Sequence, residues 1–172
     1  MRSIASHLRV DGRWDVEKAT TARALRTLAR RALDLAVEAK AHEEALSAIV
    51  RDWRPDLLDE LGVGPIVAAV VLCVWSHPGQ CRSEAAFAML GGAAPIPASS
   101  DMTVRHRPNR SGDRQLNRAL HTAVMVRLRY DPVTRAYAER RTQEGRTPPE
   151  IKRCLKHYVD RQLYRRLENA AP

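Results

Sequence analysis

The chain has 172 residues, 44% of them hydrophobic but only 5% aromatic, and a formal net charge of +9. This is enough for one ordinary domain with a real core, or for a compact domain with an extended appendage. No run approaches the roughly 18 apolar residues of a membrane span, and MRSIASHLRV has no apolar signal stretch.

Cys73, Cys81 and Cys154 are an odd, scattered set without zinc spacing, so we read them as reduced thiols of a cytoplasmic protein. The charge is unevenly placed. Residues 1–60 hold 11 Lys/Arg against 11 Asp/Glu, and 61–100 hold only Arg82 and Glu84. Residues 101–172 hold 17 basic and 8 acidic residues, so the whole excess lies there. Arginine dominates it, and its planar fork of donors suits phosphate. The distribution points to nucleic acid as the partner.

Residues 1–14 read as an irregular or disordered N-terminus. From Asp15 to Trp53 there is neither proline nor glycine. Leu25, Leu28, Ala32, Leu35, Ala39, His42, Leu46, Ile49 and Trp53 recur in alternating steps of three and four, the pattern of a coiled-coil seam. Residues 15–54 are therefore expected to form a long helix. Either a partner helix covers its seam, which makes homo-oligomerisation through 15–53 the expectation, or it folds back on its own domain.

Arg54-Pro55 ends that helix. Residues 57–75 then read as a helix-hairpin-helix: a helix, the turn Gly62-Val63-Gly64, and an apolar helix opening at Pro65. Free amides at that helix start can hold a phosphate without reading sequence, which makes Gly62 and Gly64 candidate nucleic-acid contacts.

Ser83–Met89 reads as a short helix capped by Ser83. A small-residue, proline-stiffened loop follows through Ser99-Ser100-Asp101, and 91–108 is the only stretch with room for a short hairpin. Next come Arg105, His106, Arg107 and Arg110, then Ser111-Gly112-Asp113 opening a helix. Arg114, Arg118 and His121 share one face of it, opposite a core face of Leu116, Ala119, Leu120, Ala123, Val124 and Leu128. A further helix spans about Pro132 to Glu144 and ends at Gly145. The last runs from near Thr147 to Glu168, with Ile151, Leu155, Tyr158, Val159, Leu163 and Leu167 as its inner stripe. Lys152, Lys156 and the arginines of that helix point mostly outward. The expected fold is thus mainly all-α: a coiled-coil helix, then a compact helical domain over 55–168.

A serine attacks a phosphodiester only when it loses its proton and the charge on phosphorus is neutralised. Ser99 and Ser100 stand beside arginines that meet the second need, and His106 or His121 is a candidate base. The acids beyond residue 100 are isolated and mostly sit in helices beside basic residues, as in ordinary ion pairs. They make no two-metal site, so no metal ligands are assigned.

Several blocks in order then resemble one family. They are Leu61-Gly-Val-Gly-Pro-Ile-Val-Ala-Ala, Arg82-Ser-Glu-Ala-Ala-Phe-Ala-Met-Leu-Gly-Gly-Ala-Ala-Pro, Pro97-Ala-Ser-Ser and Asn109-Arg-Ser-Gly-Asp-Arg-Gln-Leu-Asn-Arg-Ala-Leu. Glu144-Gly-Arg-Thr, Ile151-Lys-Arg-Cys-Leu-Lys and Leu163-Tyr-Arg add to them. Together they resemble the C-terminal domain of insertion-sequence transposases of the IS110/IS116/IS902 family, over roughly residues 20–168.

The resemblance implies DNA transposition by an oligomer guided by a structured RNA, with a RuvC-like nuclease domain that binds Mg²⁺ and a catalytic serine in the C-terminal domain. The family's Ser-Gly pair matches Ser100-Asp101, which makes Ser100 the nucleophile and Ser99 the fallback. Asp101 departs from the glycine, adding a Cβ and a negative charge where phosphate would sit. On the same logic the nuclease domain and its Mg²⁺ acids lie outside this chain, which binds no cofactor of its own. The chain then reads as a truncated transposase or half of a frameshifted one, bound to element ends and target DNA in the nucleoid. The nucleic-acid contacts on this reading are Gly62, Gly64, Arg105, Arg107, Arg110, Arg114, Arg118, Lys152 and Lys156. The alternative is a non-catalytic dimeric module, or element remnant, that holds DNA or RNA.

Overall fold

The computed structural model describes residues 5, 7, 9, 11–94, 109 and 112–169, and the backbone of Ile96, Pro97, His106 and Arg107. The protein is mainly helical. Two compact units divide it between Ala45 and Leu46.

The first helix, α1, runs Val16–Trp53, 38 residues, or about 57 Å at the usual rise. Asp15 caps it, its carboxylate accepting from the Lys18 amide at 2.8 Å. Leu25, Leu28, Leu35, Ile49 and Trp53 of the seam are each more than half exposed, while Ala22 and Ala29, one heptad apart on another face, are buried. From Leu46 onward the helix belongs to the second unit, and Val50 enters that unit's core.

Pro55–Asp59 forms a five-residue 3-10 turn rather than the α-helix expected at the start of the hairpin. Proline at its start and Gly62 (φ +88°) soon after leave too few residues for an α-helical turn to propagate. Helix α2, Pro65–Trp75, is apolar on every face. It ends in a γ-turn on Ser76 (φ 64°, ψ −64°), closed by the His77 amide on Trp75 O at 2.8 Å.

Helix α3, Glu84–Leu90, is capped by Ser83, whose hydroxyl accepts from the Ala86 amide at 3.2 Å. Two-residue strands β1 (Ile96–Pro97) and β2 (His106–Arg107) pair antiparallel, Ile96 opposite Arg107. This strand pair falls within 91–108, the stretch with room for a short hairpin. Helix α4, Arg114–Tyr130, is capped by Asp113. Helix α5, Pro132–Gln143, is capped by Asp131 and followed by Gly145 at φ +79°. Helix α6, Pro148–Asn169, opens with Thr147 donating to Glu150 from both its amide and its hydroxyl, at 2.9 and 2.8 Å.

Helix α4 is the centre of the second unit, with α2, α5 and α6 against it and α3 against α6. Leu116, Ala119, Leu120, Ala123 and Val124 are its buried face, as periodicity predicts. Phe87 and Tyr164 meet with ring centroids 5.6 Å apart, joining α3 to α6. The α6 stripe needs one correction. Tyr158 is exposed, and Asp160 and Tyr164 are buried with Ile151, Val159, Leu163 and Leu167. Residues 151, 159, 163 and 167 follow one row, and 160 and 164 flank it, whereas 158 lies about 100° off 159 on the solvent side.

Arg54 is buried between elements. It grips Asp56 with two bonds of 2.8 Å and donates to Arg166 O and Leu167 O at 2.9 and 3.2 Å, capping α6. Arg166 pairs with Glu60 at 2.6 Å, and Arg127 reaches both Glu60 and Leu61 O, at 3.2 and 2.8 Å. The turn before α2 is thereby fastened to α4 and α6 by arginines that sequence alone would count as surface charge.

Candidate nucleic-acid interface

The chain leaves α3 at Gly91-Gly92 and returns at Gly112-Asp113, and the two points are fastened together. Three successive carbonyls at the end of α3 have no partner within the helix. Each accepts from the returning chain: Met89 O from Asn109 Nδ2 at 2.8 Å, Leu90 O from the Asp113 amide at 2.7 Å, and Gly91 O from Asn117 Nδ2 at 2.7 Å. The backbones touch. A Cβ on Gly112 would lie 2.5 Å from the nitrogen of Gly92, and Gly92 itself holds φ +63°, so glycine is required at both.

From this base the expected site residues fall into groups. Ser99, Ser100, Asp101, Arg105 and Arg110 lie outside the described residues. For His106 and Arg107 the backbone of β2 is described. Arg114, Arg118 and His121 are exposed on α4, beginning one residue after Asp113. Lys156 is half-buried, its Nζ 3.0 Å from Asn117 Oδ1. Burial, and then the charge of Arg153, hold its pKa below the usual lysine value.

Two contacts orient α6 against α4. Asn117 meets Lys156, and Arg127 meets Gln162 at 2.8 Å. The helices therefore run in the same general direction, and Lys152 and Arg153, one turn before Lys156, fall toward the Arg114 end of α4. The structure thus brings Arg114, Arg118, Lys152 and Lys156 to one region at the loop base.

Gly62 and Gly64 sit elsewhere. A Cβ on Gly62 would lie 2.7 Å from Ala123 O, some nine residues and about 14 Å along α4 from Arg114. Gly62 is thereby committed to close packing. Gly64 is open, with nothing within 4 Å of a Cβ there, and it precedes the free amides of α2.

Beneath the loop base, Asp160 is fully buried, and neither carboxylate oxygen has a hydrogen-bond partner. A Cβ on Gly91 would sit 2.9 Å from its Oδ1, with Leu120 and Leu116 next nearest. Burial alone pushes its pKa up from 3.8 to about 7. Asp160 is an exception to the expectation that the acids beyond residue 100 mostly sit in ordinary ion pairs, since Lys156, four residues before it, turns to Asn117 instead. His157 Nδ1 is likewise buried without a partner, and burial lowers its pKa.

Among the described residues no three His, Cys, Asp or Glu gather as a metal-ligand set. The Mg²⁺ that the resemblance implies therefore finds no fitting site in them. No helix among them is long and apolar enough to cross a membrane.

Comparison with known proteins bears on these same elements. Residues 57–139, from the 3-10 turn into α5, match the family described as Transposase IS116/IS110/IS902 family. A protein of Streptomyces coelicolor, named insertion element IS110 uncharacterized 43.6 kDa protein, is 32% identical over 120 residues. Those residues are 69% of this chain and 28% of that protein, so the chain spans under a third of the relative it matches.

Proposed function

This chain belongs to the IS116/IS110/IS902 transposase family, and from that membership we propose that it handles DNA strands in insertion-sequence transposition, with Ser100 as nucleophile and Ser99 as fallback. The observation that carries the reading is the family match across 57–139, which brackets the serine loop and its glycine-fastened base.

Ser100 Oγ attacks phosphorus. The Oγ–P bond forms, the P–O bond to the leaving sugar oxygen breaks, and the serine proton passes to His106 or His121. The leaving oxygen takes up a proton, and a second DNA hydroxyl later displaces the serine to rejoin the strand. Arg105, Arg107, Arg110, Arg114 and Arg118 supply the positive charge that a phosphorane-like transition state requires. Lys152 holds backbone phosphate nearby, and the amides after Gly64 hold another at a distance.

Element-end and target DNA are the partners, with a structured guide RNA, in the nucleoid. Oligomerisation runs through the exposed seam of α1, where Leu25, Leu28 and Leu35 face outward. Mg²⁺ belongs to a nuclease domain of the whole transposase, and none of the roles given to this chain's residues depends on it.

Asp101 favours a second reading, a non-catalytic module that only binds, since its charge stands beside the position of the scissile phosphate. Incubating the purified chain with element-end DNA, guide RNA and Mg²⁺ separates the two. A covalent protein–DNA adduct lost in Ser100→Ala supports chemistry. Salt-sensitive binding without an adduct supports the module. No binding even at low salt overturns both.

A further inference from the structure

We propose that Asn117, held in one orientation by Lys156, is the positioning residue for the serine loop: it pins the loop's point of departure, Gly91, to the start of α4. The assignment rests on the reading that Ser99 or Ser100 acts.

Among the described residues, three bonds from the returning side fasten the loop base, and they differ in kind. The Asp113 amide on Leu90 O is main chain and survives any substitution except proline. The Asn109 bond to Met89 O comes from the returning chain itself. Among the described residues, the bond from Asn117 Nδ2 to Gly91 O is the one made by a side chain in the body of a long helix, and it ties the base to the second unit beyond the N-cap residue Asp113.

That bond depends on which way the amide faces. An asparagine amide rotated by half a turn would present Oδ1 to Gly91 O, two acceptors with no proton between them. Lys156 decides the matter. Its ammonium is a donor only, so at 3.0 Å it requires Oδ1 on its side and leaves Nδ2 for Gly91.

Lys156 is half-buried, as are Lys152 and Arg153 a turn before it, but its ammonium is engaged by Asn117. It is spent on an internal amide, beside a glycine pair with no room for any side chain. Gly92 is part of the fit, because a Cβ there would lie 2.9 Å from Asn117 Nδ2.

Amide hydrogen exchange on the purified chain tests the clamp, with the Asp113 amide as reporter and the Leu120 and Ala123 amides of α4 as reference for global opening. Asn117→Ala is expected to speed Asp113 exchange about tenfold relative to that reference, the loss of roughly one hydrogen bond. Asn117→Asp keeps an acceptor for Lys156 but no donor for Gly91 O, and should exchange as fast as Asn117→Ala. Lys156→Met frees the amide to turn and should give a smaller rise, about threefold. If Asp113 quickens no more than Leu120 and Ala123 do, the residue only supports the fold and the clamp is overturned.

With element-end DNA at saturation, Asn117→Ala should also slow adduct formation at least tenfold while DNA affinity changes less than twofold. A normal adduct rate in that variant overturns the positioning role. Absence of any adduct in the unsubstituted chain sinks the serine reading instead, and leaves the exchange result to decide the clamp.

Discussion

Replacing Asp160 by asparagine should make the protein more stable at alkaline pH, and the size of the gain follows from its surroundings. The carboxyl is fully buried against Gly91, Leu116 and Leu120 with no partner on either oxygen. Its pKa rises from 3.8 to about 7 in the folded chain. Between those values the native state holds a proton that the unfolded chain releases, so stability falls as pH rises. A shift of about three units at 1.36 kcal/mol each is about 4 kcal/mol, present below pH 4 and lost by the time pH passes 7. The asparagine amide would carry no charge at any of these values.

Other groups titrate nearby. The Cys81 thiol, Tyr164 and His157 face the same region, and Asp56, Glu84, Asp131 and Glu150 have depressed values that act in the opposite sense below pH 5. Subtracting the two proteins cancels what they share. Urea unfolding followed by circular dichroism from pH 4.5 to 8.5 should show Asp160→Asn gaining on the parent by about 3 kcal/mol across that range. A difference flat within about 0.5 kcal/mol would refute the buried, unpaired acid.

Gly62→Ala should lose about 2 kcal/mol in thermal unfolding, since its Cβ would lie 2.7 Å from Ala123 O at a backbone angle of +88°. A loss under about 0.5 kcal/mol would show that α4 yields there. Arg114→Ala and Arg118→Ala should each lower the salt dependence of DNA binding by about one unit of slope, uniformly across sequences. An unchanged slope would remove them from the interface. Leu28→Glu with Leu35→Glu should leave a folded monomer in sedimentation if the α1 seam joins subunits. An assembly that persists would move that contact elsewhere.

Much of the second unit was legible because its signals are local. Ser83, Asp113 and the Thr147–Glu150 pair cap helices within the next turn, and Gly145 stops one. The period of α4 marks its buried face without help from any partner. The α6 stripe was harder. Tyr158 and Tyr164 are the same residue type on one amphipathic helix, and the partners that hold Tyr164, the ring of Phe87 and the Cys81 carbonyl that accepts from its hydroxyl at 2.8 Å, are distant in sequence. Asp160 looked like an ordinary ion-pair acid because Lys156 stands four residues before it. The competing acceptor on Asn117 comes from another helix, and helical spacing carries no trace of it. The 3-10 turn at Pro55–Asp59 is bounded locally by Pro55 and Gly62, but one of the bonds that hold it arrives from α6, where Arg166 donates to Asp56 O at 3.1 Å.

The excess charge of the C-terminal region therefore does two kinds of work. Arg127, Arg140, Arg141, Arg146, Arg161, Arg165 and Arg166 each face a carboxylate within ion-pair distance. Their donors are largely committed to the protein, and two of them share Glu84, whose pKa they draw down to about 2. Among the described residues of that region, Lys156 is engaged by Asn117 without a carboxylate, and Arg114, Arg118, Arg129, Arg135, Lys152 and Arg153 make no ion pair. Phosphate needs donors as well as field, so the second set is the one open to the proposed DNA partner. Four of its members, Arg114, Arg118, Lys152 and Arg153, lie toward the end of α4 where the serine loop returns. Net charge points to the C-terminal region, and setting aside the internally engaged arginines leaves four of the six remaining cations toward the loop base, which is where the proposed chemistry on a phosphate would need them.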